Sequence, residues 1–151
     1  MSLLYAIIFI TGGAILALEL LASRIMTPYF GVSLYIWTGI LSITLVSLAL
    51  GYWAGGRYAG GPRARPAPRL LQIYALMPAV AALAIIGACL AYPFLFSPLS
   101  AWSLVLGAFA ACLILLFLPL VATSAMNPLL VAILLQRAGK QAGDAGAGKV
   151  F

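Results

Sequence analysis

The sequence predicts an all-α integral membrane protein with four transmembrane helices. Of its 151 residues, 66% are hydrophobic and only 7% are charged, whereas soluble domains are typically about 45–50% apolar and about 25% charged. The apolar residues gather into four runs, each close to the roughly 20 residues that cross a bilayer. They occupy every side of the predicted helices, which distinguishes these runs from amphipathic helices on a soluble core.

Turn-forming residues separate the four predicted spans. Glu19 in the first span is the only charged residue that any of them contains. Pro28 and Gly31 are expected to end the first helix in a short outer loop, and Pro93 and Pro98 to form the second outer loop. The spans cover residues 3–23, 34–56, 70–92 and 102–122.

The chain after the fourth span changes in character. Pro128 follows Asn127 directly and interrupts the apolar pattern. Residues 129–136 are too few to cross the bilayer again, and we expect them to form a short interfacial helix. Residues 137–151 are mostly small or polar, which predicts a mobile cytoplasmic tail. The predicted transmembrane domain therefore covers residues 1–136.

The basic residues indicate the orientation in the membrane. Seven of the eight lie on one side of the predicted spans, and only Arg24 lies on the other. By the positive-inside rule both termini are cytoplasmic, which fits a bacterial inner-membrane protein. The loop between spans two and three signals topology, and could also contact anionic lipid headgroups. Its basic residues are Arg57, Arg63, Arg65 and Arg69.

Missing residue types exclude several kinds of chemistry. The chain has no histidine, which removes Ser-His nucleophiles, His zinc sites and His-ligated haem or chlorophyll. Its two acidic residues offer no paired-carboxylate catalysis. Cys89 and Cys112 are expected at different depths as buried packing residues. We expect no cofactor, no metal and no nucleic-acid partner, since membrane topology accounts for the basic residues.

Glu19 is the candidate functional residue of the first span, because a carboxylate inside a membrane indicates function by default. We expect it about one turn, or roughly 6 Å, from the outer end of that span. Arg24 follows five residues later, about 140° around a straight helix, so direct pairing would need the helix to open near Ser23. A structural pair, or a backbone partner for Glu19, is favoured over a ligand or proton role.

Small residues recur at four-residue spacing in three of the spans, a pattern that lets helices approach closely in lipid. In the second span these small and polar residues fall within about 80° of one another on a helical wheel. We expect packing within the chain, and a surface for a second subunit is the alternative. The residues are Gly13 and Ala17, then Thr44, Ser47, Gly51 and Gly55, then Gly107 and Ala111.

Three stretches together resemble the membrane domain of spermidine-synthase-like membrane proteins. They are ELLASRIMTPYFG (residues 19–31), LALGYWAGGR (48–57), and LPLVATSAMNPLLVAILLQ (118–136) with the later GAGKVF. In that family a major-facilitator-like helical domain precedes an aminopropyltransferase-like domain. The resemblance implies the first part of a major-facilitator-like bundle and a shared task for Glu19 and Arg24. No stretch matches the family's motifs for decarboxylated S-adenosylmethionine and polyamine, so it implies no enzymatic activity here.

Two functions follow as hypotheses. The first is a non-catalytic membrane subunit that packs against other membrane protein subunits and lipids through helix faces. The second is the membrane half of a transporter or of a membrane-tethered polyamine enzyme, completed by a further segment or a separate polypeptide. We favour the first, because the helices carry little polar chemistry beside their small-residue stripes.

Overall fold

The computed structural model describes residues 2–60 and 66–138, and every regular element in that part of the chain is helical. The helices are α1 (Ser2–Phe30), α2 (Leu34–Ala59), α3 (Ala67–Trp102), α4 (Leu104–Cys112) and α5 (Leu118–Ala138), with a π-helical segment at Leu113–Phe117 between the last two. Four helical stretches are long and apolar enough to cross a membrane. The prediction of an all-α chain with four helices that are long and apolar enough to span a membrane is confirmed for the described residues.

The first helix ends at Phe30, seven residues later than the predicted end of the first span at residue 23, and Gly31 caps it. Pro28 lies inside α1, because a proline there removes one N–H donor without forcing every later residue out of helical geometry. Gly31 has a φ of 73°, and its N–H donates to the carbonyl of Thr27 at 2.9 Å. This left-handed cap is what ends the helix. The expectation that Pro28 breaks the helix is therefore wrong.

The third helix also continues through its prolines. Pro93 and Pro98, predicted to form a loop, lie inside the 36-residue helix α3. At 1.5 Å per residue α3 is about 54 Å long, whereas the hydrocarbon core of a bilayer is about 30 Å thick. The turn into α4 consists of Ser103 alone, whose hydroxyl accepts a bond from the N–H of Leu106 at 3.4 Å.

Residues 129–136, expected as a separate interfacial helix, are a continuation of α5. Leu129, Leu130 and Ile133 are buried there against Leu70 and Tyr74 of α3. Pro128 does not separate them, because their packing against α3 holds the chain helical on both sides of it. The fourth span therefore runs from α4 through the π-helical segment to the end of α5.

The π-helical segment ends two residues before a buried proline. Pro119 is fully buried, and it lacks the N–H that would close an α-helical bond to the carbonyl four residues earlier. A wider turn before a proline accommodates this missing donor within a continuous helix. The segment therefore has a local cause in the sequence.

The spans alternate in direction, so two ends of the bundle can be defined. At the arginine end, which carries Arg57 and Arg69, one apolar cluster joins Ile7, Tyr58 and Leu70 to α5. The aromatic end is the opposite one, where Tyr29, Phe30 and Tyr92 surround the buried ring of Phe96 at centroid distances of 5.5–5.8 Å.

Burial is uneven among the spans. Within the most apolar window of each span, 44% of the fourth is buried inside the protein, but only 11% of the first. The fourth span contacts α2 along much of its length. Helix α1 is therefore the peripheral helix of the bundle.

Candidate functional site

The closest helix contact joins α2 to α5 at two glycines. A Cβ atom on Gly51 would collide with the hydroxyl of Ser124 and lie 2.6 Å from the carbonyl oxygen of Val121. On Gly55 it would lie 2.6 Å from the carbonyl oxygen of Ala125. The glycines thus let the two backbones approach. The small-residue stripe of α2 is covered by α5, within the chain.

Hydroxyl groups lie beside these glycines. The hydroxyl of Ser124 donates to the carbonyls of Ser47 and Val121 at 3.4 and 3.2 Å. The hydroxyls of Thr44 and Ser47 are buried without a hydrogen-bond partner among the described residues. Sequence reasoning found Thr44 and Ser47 but missed Ser124, because the fourth span was ended at residue 122. The run of small residues from Ala122 to Ala125 is the signal that could have extended it.

Two further close contacts hold the aromatic end together. A Cβ atom on Gly107 would collide with the carbonyl of Leu99 and lie 3.0 Å from the Phe30 ring. At Gly39, which sequence reasoning did not single out, an added Cβ atom would lie 3.1 Å from the thiol sulfur of Cys112. That thiol lies 3.5 Å from the sulfur of Met26. Ala111 is fully buried in the same cluster. Cys112 is buried as expected, but Cys89 is exposed, so the expectation that both cysteines are buried packing residues is wrong for Cys89.

The small residues of α1 are placed quite differently. A Cβ atom at Gly12 or Gly13 would have no heavy atom within 4 Å in the described part of the protein. Ala17 is exposed as well, and Leu20 retains 60% of its accessible surface. The predicted packing residues of the first span therefore lie on an uncovered helix face.

Glu19 lies near the middle of the bundle. Met26, Cys112 and Gly39 are in contact and so mark one common level. Glu19 precedes Met26 by seven residues, which is about 10 Å along α1 toward the arginine end. The residue seven positions along α2 from Gly39, in the same direction, lies at the centre of α2. Glu19 is therefore level with the centre of that helix. The expected position one turn from the outer end is wrong, because α1 continues to Phe30.

Glu19 and Arg24 do not form a pair. They lie five residues apart on a helix that stays closed at Ser23, whose hydroxyl donates to the carbonyl of Leu20 at 2.8 Å. Five residues correspond to about 140° of rotation, so the two side chains leave on different faces. Glu19 is half-buried on the side of Ala22 and Met26, whereas Arg24 is exposed. These two charges require separate explanations.

The described arginines of the predicted cytoplasmic loop lie at the same end of the bundle. Arg57 and Arg69 are both exposed, and the guanidinium of Arg57 lies 5.6 Å from the ring centre of Trp53. Such a cation–π contact fits an aromatic residue near the membrane surface. Arg63 and Arg65 are outside the described residues. So is the predicted tail beyond residue 138.

Apolar cavities lie between helices in the described part of the chain. One of about 540 Å³, at the arginine end between α2 and α5, is lined by Tyr52, Gly56, Pro128 and Leu135 among others. Beside it, the side-chain amide of Asn127 donates to the hydroxyl of Tyr52 at 3.2 Å. Another, of about 440 Å³, lies between α1 and α3. The described residues contain no cluster of three or more metal-binding side chains.

The length and hydropathy of the four described helical stretches fit a multi-pass integral membrane protein, and close glycine contacts join α2 to α5. Comparison with protein-family models, with curated proteins and with solved structures found no match to this chain.

Proposed function

We propose that this chain is a non-catalytic integral membrane subunit that packs by helix–helix contacts into a larger membrane assembly. The observation that carries the proposal is the exposed face of α1, which combines uncovered small residues with a charged side chain. Gly13 and Ala17 have no packing neighbour there, and Arg24 is exposed within the apolar span. A partner helix would supply contacts to both kinds of residue.

Exposed leucines alone would not support this proposal. Lipid tails are as apolar as leucine, so the bilayer covers side chains such as Phe9 and Leu16 without a protein partner. Glycine and arginine differ, because a glycine in a helix face gains most from a closely packed helix and a guanidinium in hydrocarbon requires an anion. The corresponding small residues at Gly51, Gly55 and Gly107 are all covered within the chain.

The same proposal includes an orientation. We infer that the arginine end is cytoplasmic, so that both termini lie on that side of a bacterial inner membrane. Arg57 and Arg69 support this placement, because they are exposed at one end of the bundle, where the positive-inside rule expects basic residues.

Gentle extraction of the tagged protein from its native membrane, followed by identification of the proteins recovered with it, tests the subunit function. We expect one or more membrane proteins to co-purify in fixed stoichiometry. A variant with Leu83→Ala, on an exposed face of α3, serves as control and should recover the same partners. Recovery of the chain alone under conditions that keep known complexes intact would contradict the proposal.

The second candidate is the membrane half of a transporter or of a membrane-tethered polyamine enzyme. The position of Glu19 favours it, since a carboxylate near the bilayer centre is typical of ion pathways. The resemblance to a major-facilitator-like domain also supports it. In proteoliposomes containing a pH-sensitive dye, the transporter function predicts proton entry that Glu19→Gln abolishes. No proton entry with the unaltered protein, and no neighbouring reading frame for an aminopropyltransferase domain, would contradict it.

A further inference from the structure

We propose that α1 docks a transmembrane helix of a partner subunit, and that a carboxylate on that helix pairs with Arg24. The docking surface, called the α1 face here, consists of Gly13, Ala17, Leu20 and Arg24. These residues follow one another at steps of four, three and four, which places them within about 60° on one side of a helix. The inference rests on the proposed subunit function and adds the chemistry of the partner.

The position of Arg24 makes it the key residue of this face. It lies inside the apolar stretch Phe9–Phe30, six residues or about 9 Å from the end of the helix. Its side chain is exposed, and among the described residues no carboxylate forms an ion pair with it. Since hydrocarbon solvates a guanidinium poorly, the guanidinium of Arg24 requires contact with an anion, either on a neighbouring helix or in a lipid headgroup.

The direction of the helix favours a carboxylate over a lipid phosphate. In an α-helix the Cα–Cβ bonds tilt toward the N-terminus. The N-terminus of α1 is at the arginine end. The Cα–Cβ bond of Arg24 therefore tilts along the helix axis toward the mid-depth of the bundle, away from the aromatic end. The nearest headgroups lie in the opposite direction, at the aromatic end. A carboxylate on an adjacent helix can meet the guanidinium at that depth and accept two hydrogen bonds.

The backbone at the same position also lacks its usual partner. Pro28 has no N–H, so the carbonyl of Arg24 loses the helical bond that it would accept. The hydroxyl of Thr27 cannot replace that donor, since it is directed to the carbonyl of Ser23 at 2.8 Å. Unpaired backbone groups are costly in hydrocarbon. A partner helix with a hydroxyl or amide beside its carboxylate would satisfy both groups of Arg24.

A second copy of this chain does not fit the α1 face. Copies inserted in the same direction would place Arg24 against Arg24, which is repulsive. The one carboxylate of the span, Glu19, is half-buried on another face of α1, about 140° around the helix and about 7 Å deeper. It therefore cannot be presented to the α1 face of a neighbour.

Site-specific photo-cross-linking in native membranes tests the proposal. A photoreactive amino acid replaces Leu20 in the tagged full chain, and the same label at Leu83 of α3 serves as the matched lipid-facing control. We expect Leu20 alone to capture a transmembrane peptide of another polypeptide, with Asp or Glu within one turn of the cross-link. Arg24→Leu should lower the yield by about tenfold or more, and Arg24→Lys should retain most of it.

Capture of a second copy, capture of lipid only, or an equal yield with Arg24→Leu would overturn the proposal. A charge swap covers the case in which Arg24→Leu fails to fold. Arg24→Glu should abolish the cross-link, and Lys at the captured carboxylate should restore it, whereas a missing restoration contradicts the pairing. If the partners still co-purify while Leu20 captures no helix, the α1 face is wrong and the subunit function stands. If the unaltered chain is extracted alone, both fail.

Discussion

Individual glycines allow the helices of this protein to pack closely at particular positions, because a glycine has no Cβ atom. Gly51 and Gly55 lie where an added methyl group would meet α5, and Gly107 lies where it would meet the end of α3. Gly13 is also followed by a small residue four positions later, Ala17, but a Cβ atom added at Gly13 would meet no heavy atom within 4 Å in the described part of the protein. The spacing in the sequence identifies all of these positions equally, and only the tertiary structure separates the filled contacts from the open one.

We expect Gly51→Ala to destabilise the protein by about 1–3 kcal/mol, because the methyl group overpacks the contact with Ser124 and Val121. Gly13→Ala is the matched control in an open helix position. It should be neutral or stabilising by up to about 1 kcal/mol, since alanine favours the helix. Reversible unfolding in mixed micelles, followed by circular dichroism, measures both. Equal stabilities for the two variants would contradict the packing described for α2 and α5.

Gly31 carries a different kind of constraint. Its φ of 73° belongs to the left-handed region, where a side chain costs about 1–2 kcal/mol. Gly31→Ala should therefore lower the free energy of unfolding by about that amount, and Gly31→Asn by less, since asparagine tolerates this region. Gly12→Ala, in open space, provides the control. No difference between the alanine and asparagine variants would argue against this cap.

Among the helices, the boundaries predicted from proline positions were wrong. Pro28, Pro93 and Pro98 were expected at helix ends, yet all three lie within helices. A proline removes one bond, but a loop in hydrocarbon would leave several backbone groups unpaired, so the helix continues. The local preference of a residue cannot reveal this competition. Gly31 was correctly expected to end α1, because its positive φ acts locally.

The outer half of α1 packs against the bundle through the buried residues Ala22, Met26 and Phe30, with Ile25 and Tyr29 partly buried beside them. Met26→Ala should cost about 2 kcal/mol or more, because its thioether fills the contact with Cys112. Leu20→Ala, on the exposed face of the same helix, should change stability by less than about 0.5 kcal/mol. Unfolding of the two variants in mixed micelles measures the difference. Comparable losses would mean that the helix packs on another side.

At the scale of the whole molecule, the number of spans is predictable but their arrangement is not. Hydropathy finds the four spans because hydrocarbon selects long apolar runs. It does not reveal that α2 and α5 pair, because apolar residues occupy every side of each helix. Leu45 is largely exposed and Leu116 is fully buried, although both are leucines within predicted spans. The depth of Glu19 was also missed, since it depends on where α1 ends.

The orientation predicts which turns are reachable from outside the cell. Val32 lies in the turn at the aromatic end and is 87% exposed, so cysteine at that position should react with a membrane-impermeant maleimide in intact cells. Cysteine at Gly60, near the arginine end, should react only after permeabilisation. The unaltered chain reports background labelling from Cys89. Labelling of residue 60 but not of residue 32 in intact cells would contradict the inferred orientation.

We propose that the bundle is a subunit whose first helix has an open face for a partner. Native mass spectrometry of particles extracted from native membranes in lipid discs tests this proposal. We predict a stoichiometric complex that contains this 15.8 kDa chain together with at least one other membrane polypeptide. A particle that contains one 15.8 kDa chain and lipid alone would contradict the claim.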